Sequence, residues 1–130
     1  MSRRFDDTGM VTAETAVVLP ALVVVLALLV GGVHTLGAQL ACQDAARVAA
    51  RAAARGEPTA EVARLARSVA PPGARLSVAG ETGLVRVAVT ATVRFPGPLL
   101  SRLPAFVVVG RAVAADETSG QASGDVPAPP

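Results

Sequence analysis

AVVLPALVVVLALLVGGV, residues 16–33, is an unbroken apolar run interrupted in character only by Pro20, Gly31 and Gly32, and no Asp, Glu, Lys or Arg occurs anywhere from residue 15 to residue 43. Eighteen helical residues at about 1.5 Å each cover about 27 Å, close to the hydrocarbon thickness of a bilayer. Apolar side chains all round the helix, instead of along one stripe, argue against a buried core helix. The stretch therefore reads as a membrane span over about residues 15–34. A cleaved secretory signal is the weaker reading. Asp6 and Asp7 offset Arg3 and Arg4, Glu14 abuts the apolar run, and a cut before Cys42 would have to follow Gln39-Leu40-Ala41, with Gln39 where such a site wants a small or aliphatic residue.

The rest of the composition agrees with an anchor carrying a small head. Hydrophobic residues make up 52% of the 130 positions and aromatics 2%, so the apolar content is Ala, Val and Leu and gives no aromatic-rich binding surface. Once the span and the C-terminal stretch are set aside, fewer than 100 residues remain for a soluble core. Twelve basic against ten acidic residues is too small an excess to argue for nucleic acid. Cys42 is the single cysteine, which excludes an intrachain disulfide and a Cys-based zinc site. It reads as a small helix-packing residue, with an intermolecular disulfide as the lesser option.

Working outward, Glu14 separates a plain anchor from something more specific. A carboxylate at the edge of a hydrophobic segment is costly when buried and marks a partner or a function; at a water interface it would only complement the helix N-terminus. Its surroundings favour the first view. A polar leader, residues 1–8, is followed by Gly9, by Met10-Val11-Thr12-Ala13-Glu14, and then by the apolar helix. Glycine gives a protease access to the backbone. A cut after it would create an α-ammonium on Met10, four residues from the carboxylate, and Glu14 of one subunit could neutralise that amine on its neighbour in a dry stack of helices. Pro20 removes a backbone donor and is expected to kink the helix, which membrane helices tolerate. Gly31, Gly32 and Gly37 are small enough to admit a neighbouring helix, or are passive.

The stretch from Gly9 through Glu14 to Pro20 resembles the TadE-like minor pilins or pseudopilins of the tight-adherence (Tad, Flp) branch of type IV pilus systems. The similarity continues in Cys42-Gln43-Asp44-Ala45-Ala46-Arg47 and over residues 49–57, which resemble the Ala/Arg-rich extension of actinobacterial members. The resemblance implies processing between Gly9 and Met10 by a prepilin peptidase and a role for Glu14 in subunit assembly. It implies as partners other pilin and minor pilin subunits, the inner-membrane assembly platform and the lipid bilayer, with no nucleic acid and no small-molecule substrate. Thr15 stands where major Flp pilins carry an aromatic, which favours a minor subunit. The implied topology puts the leader in the cytoplasm and the head outside, in the cell membrane or a surface pilus. Charge counting points the other way, since Arg47, Arg51 and Arg55 follow the span and only Arg3 and Arg4 precede it. Those three arginines lie well beyond Val33, on a helix expected to continue into water, so the family orientation is adopted.

Residues 36–55 are Ala-rich with arginines four apart and continue the helix with one basic edge, Asp44 being placed to pair with Arg47. A solvated face explains that edge better than nucleic acid, because no aromatic is interleaved. His34 has no partner at a ligand spacing and reads as interfacial. Gly56 and Pro58 stop and restart the chain. Val62, Leu65, Ala66 and Val69 give a second amphipathic helix, closed by Pro71-Pro72-Gly73. Val85, Val87, Val89, Ala91, Val93 and Phe95 then alternate with Arg86, Ala88, Thr90, Thr92 and Arg94 as a half-buried strand. Residues 75–79 before Gly80-Glu81-Thr82-Gly83 supply its hairpin partner, and residues 106–114 a third strand. The expected fold is α+β: leader 1–9, a long helix 10–55, a small α/β head 56–115 with a three-stranded antiparallel sheet, and a disordered tail 116–130. There is no phosphate loop, His/Cys cluster or nucleophile elbow, and Glu57, Glu61, Glu81, Asp116 and Glu117 sit on helix, turn or tail positions. The expectation is therefore no enzyme and no cofactor or metal. The alternatives to a pilin-like subunit are a membrane-anchored interaction module that is never processed, and a secreted protein released near Cys42.

Overall fold

The computed structural model describes residues 7–95, 97, 98 and 100–116. The elements run α1 (Asp7–Ala54), α2 (Thr59–Val69), β1 (Arg75–Glu81), β2 (Leu84–Val93), a 3-10 turn (Leu100–Arg102) and β3 (Phe106–Ala115). A long apolar N-terminal helix, a short second helix and a three-stranded antiparallel sheet of order β1-β2-β3 make an α+β chain, as the periodicities indicate. By its contacts the chain divides into two units, Met1–Val33 and His34–Pro130.

In the first unit, the apolar side chains of α1 are exposed on every side: Val17 is 72%, Leu22 61% and Leu29 64% accessible. Burying a Val or Leu is worth about 1.5–3 kcal/mol, so a dozen left in water would be untenable and the helix demands an apolar surrounding. Among the described residues α1 is the one helix that is, by length and composition, long and apolar enough to cross a membrane, which suggests a single-pass anchor. The helix continues through Pro20, whose missing N–H leaves the carbonyl of Ala16 without its usual intrahelical donor.

In the second unit, α1 is dense in alanine, the best helix former. It ends at a glycine-dependent stop. Gly56 takes φ 75°, its N–H reaches the carbonyl of Ala53 at 3.0 Å, and that of Glu57 reaches Ala52 at 3.2 Å. This pair of bonds is the Schellman arrangement, and it satisfies carbonyls the helix would leave bare. After α2, the chain reverses over Pro71-Pro72-Gly73-Ala74, with Gly73 at φ 76° and Ala74 N–H on the Pro71 carbonyl at 3.2 Å. Proline second and a left-handed glycine third is the type II turn pattern.

The core lies between the two helices and one face of the sheet. Cys42, Ala45, Ala46, Ala49, Ala50 and Ala52 of α1 and Val62 and Ala66 of α2 are buried against Val85, Val87, Val89, Ala91 and Val93 of β2 and Val108 of β3. Successive β2 residues alternate buried and less buried, the period-two pattern read in the sequence. The strand limits differ from expectation in detail. β1 extends through Gly80 and Glu81, which had been assigned to the turn, because Glu81 pairs with Leu84 and the loop tightens to Thr82-Gly83, with Gly83 at φ 75°. β2 stops at Val93, and Phe95, just beyond it, stands edge-on to Phe106 with ring centroids 5.5 Å apart. Asp116, assigned to the tail, is tied by its N–H to the Gly83 carbonyl at 3.0 Å. Residues 1–6 of the leader and 117–130 of the tail lie outside the described residues.

The two edges of the sheet are treated differently. At β3, Gln39 Nε2 donates to the Val109 carbonyl at 2.9 Å and the Arg111 N–H donates to Gln43 Oε1 at 3.0 Å. These two glutamines, one turn apart on α1, satisfy the edge groups on either side of Gly110. We expect Gln39→Ala with Gln43→Ala to lower head stability by about 1–2 kcal/mol, a modest net value per hydrogen bond at a part-exposed site, read as a shift of the urea midpoint for protease resistance.

Candidate functional site

The residues singled out by chemistry fall at the start of α1. Gly9 and Met10 lie in its first turns, and Glu14 follows one helical turn after Met10, so the two share a face. Glu14 lies five positions beyond Gly9, a rise of about 7.5 Å. The Glu14 side chain is exposed, and directly behind it begins the apolar stretch. A carboxylate in this position is accessible to a second chain.

Further along α1, a Cβ built on Gly32 or on Gly37 would meet nothing within 4 Å, so neither glycine serves packing within the chain; Gly31 is buried in the helix surface. His34 is exposed, and with Gly37, Ala38 and Ala41 it borders a shallow hollow whose other side is Val69, Pro71, Pro72 and Val93. Among the described residues no group of three or more His, Cys, Asp or Glu is gathered as a metal would need.

The basic edge of α1 is largely paired off. Arg47 lies 3.8 Å from Asp44, as the spacing suggested, and Arg55 binds Glu57 at 2.6 Å. Arg51 Nε donates to the Arg47 carbonyl at 3.4 Å. Elsewhere Glu61 pairs with Arg64, whose hydrogen bond holds its carboxyl below the usual range, and Glu81 pairs with Arg86 at 3.0 Å. These acids are surface or half-buried partners of arginine, in pairs that contribute little to stability.

Cys42 is wholly buried, and burial pushes its thiol pKa up. It sits where α1 meets β3, and its carbonyl faces Gly110 so closely that a Cβ on that glycine would overlap the Cys42 carbonyl and the Gln43 nitrogen. The packing role read from the sequence agrees with this placement. Gln39, Gln43 and Gly110 had no structural role in the sequence reading. The signals were there: two glutamines four apart on an alanine-rich helix, and a glycine inside the apolar strand, which marks a close approach of backbones.

Comparison with known proteins bears on the same stretch. Residues 9–51 match the family model described as TadE-like protein, a segment that begins at Gly9, includes Glu14 and Pro20 and runs through the alanine face of α1. No curated protein and no solved structure matches the chain.

Proposed function

We propose that this chain, TadE-like over residues 9–51, is a minor pilin or pseudopilin of a Tad-type pilus or secretion apparatus, cut after Gly9 and assembled through its apolar N-terminal helix. The observation that carries the reading is the placement of Gly9 and Glu14 in the first turns of α1, directly before its apolar stretch and inside the matched segment. Cleavage of the Gly9–Met10 bond by a prepilin peptidase on the cytoplasmic side leaves an ammonium on Met10. Within a packed helical array, isolated charges are unfavourable, and a Glu14 carboxylate beside a neighbour's Met10 ammonium makes both tolerable while fixing the axial stagger of the two subunits. The head then lies outside the membrane, as a structural or initiating part and not as a catalyst. Its partners are the peptidase, other pilin subunits and the assembly platform.

The test is the N-terminus of the protein isolated from its own host membrane, by intact mass. A chain beginning at Met10 is expected. One beginning at residue 1 or 2 would leave an unprocessed anchored interaction module, and one beginning near Cys42 a secreted protein.

A further inference from the structure

Charge divides the second unit end from end. The chain enters the unit at one of them: His34, which borders the hollow with Val69 and Val93, follows Val33, the last residue of the apolar run. There β2 finishes and β3 begins, with Val93 opposing Phe106 and Thr92 opposing Val107. Arg94 follows β2 directly, and Arg102 closes the 3-10 turn before β3. The last turn of α2 and the start of β1 lie at this end too, with Arg67 beside Pro71 and Pro72 and Arg75 next to Ala74. Among the described residues no carboxylate forms a salt bridge with any of these four arginines. Neither residues 62–80 nor residues 82–115 contain an Asp or Glu. The described acids of the unit stand elsewhere. Glu81 and Asp116 adjoin the hairpin loop, Glu57 lies by Gly80 and Val85, Glu61 is in the first turn of α2, and Asp44 pairs with Arg47 midway.

Apolar side chains share the basic end. Leu103, Phe106 and Val107 are 42%, 46% and 65% exposed, and Phe95 stands edge-on to Phe106. Leu36, also exposed, carries the apolar surface of α1 one turn past Val33. Exposed apolar groups set among unpaired cations match a surface with anionic headgroups over hydrocarbon. We infer that this end of the head docks on an anionic phospholipid surface. Arg94 and Arg102 meet the phosphates, Leu103, Phe106 and Val107 enter the acyl boundary, and Arg67 and Arg75 add attraction from within a Debye length. A plane laid across the end of a sheet meets side chains from both of its faces, so Phe106 and Val107 reach it together. A second copy is the poorer occupant, because pairing the two patches would oppose arginine to arginine. Lipid is also what the apolar run demands, and that run joins the head at this end. The inference rests on the membrane span alone and is independent of cleavage at Gly9.

The test uses the full chain reconstituted in vesicles. The protein has no Trp and no Tyr, so Leu103→Trp is a lone fluorescent reporter. Val113→Trp, at an exposed position about 20 Å along β3 from Val107, is the control. In vesicles of phosphatidylglycerol and phosphatidylcholine in equal parts, brominated on the acyl chains, the Leu103→Trp emission is expected to shift to the blue. Its intensity should fall to about half or less, as for a side chain buried at the headgroup boundary, with Val113→Trp unaffected. Each arginine near an anionic surface biases docking about fivefold, so Arg94→Glu with Arg102→Glu should lower the ratio of docked to undocked heads about thirtyfold or more. Both side chains are exposed, and the far-ultraviolet circular dichroism should be retained. Vesicles of phosphatidylcholine alone should weaken the quenching of the unreversed chain likewise. No quenching of Leu103→Trp, equal quenching of the two reporters, or quenching unchanged by charge reversal or by the loss of phosphatidylglycerol would each overturn the inference. So would a blue shift of Leu103→Trp that appears in detergent without phospholipid and grows with protein concentration, which would assign the surface to a second copy.

Discussion

Gly110→Ala is expected to cost the head about 3 kcal/mol or more. Added methyl groups in well-packed cores cost about 1–3 kcal/mol when neighbouring side chains can shift. At Gly110 the obstruction is the carbonyl carbon and oxygen of Cys42 and the nitrogen of Gln43, all backbone of a helix held by its own ladder. To admit the methyl, α1 and β3 must separate. Separation strains the Gln39–Val109 and Gln43–Arg111 bonds and loosens the contacts of Cys42, Ala45 and Ala46 with the sheet. Pulse proteolysis in urea, in mild detergent, would read the loss as a lowered midpoint. A nearby control, Ala112→Gly, should be much milder because it removes volume instead of adding it. A midpoint unchanged by Gly110→Ala would mean that helix and strand do not cross this closely.

The second large effect concerns Gly9 and Glu14, which the proposed function separates. Gly9→Val places a β-branched side chain at the scissile bond, and the chain recovered from the host membrane should then retain its leader in full. Glu14→Ala should be cut normally, since the carboxylate lies five residues beyond the bond, yet fail to enter assemblies, because the Met10 ammonium of its neighbour would have no counter-ion in an apolar array. A loss of about 3–5 kcal/mol, the usual consequence of removing one partner of a buried charge pair, is enough to reduce incorporation below detection. The measurement is the share of processed protein in sheared surface fractions against membranes, with Glu14→Asp as the conservative variant. Equal incorporation of wild type and Glu14→Ala would remove the assembly role. Normal processing of Gly9→Val would remove the peptidase.

Much of this architecture was legible in the chain itself. The apolar run at residues 16–33 and the alternation from Val85 to Val93 each carry a period that only one kind of element satisfies. Gly56, Pro58 and Pro71-Pro72-Gly73 punctuate the helices where the backbone does. The misjudged limits have a local cause: Gly80 and Glu81 have turn-like chemistry, but a two-residue loop fits the twist of a hairpin better than a four-residue one. What the sequence did not disclose was the junction of α1 with β3. Gln39, Gln43 and Gly110 matter only together, and no periodicity links residues about 70 positions apart. The candidate site divides in the same way. Gly9, Glu14 and the apolar helix are neighbours in the chain and read as one motif, whereas the basic end of the head emerges only when the fold brings Arg67, Arg75, Arg94 and Arg102 to one side.

That long separation has a consequence for the order of folding. The β1–β2 hairpin closes over a two-residue loop and can form from local contacts, but the cover over the α1 face is completed only when β3 arrives with Gly110 at Cys42. Until residue 111 is in place, the head lacks its edge strand and both glutamine bonds. Closing so distant a contact is slow relative to local structure. The last strand is therefore the latch of the head, which becomes one compact body only when β3 closes against α1.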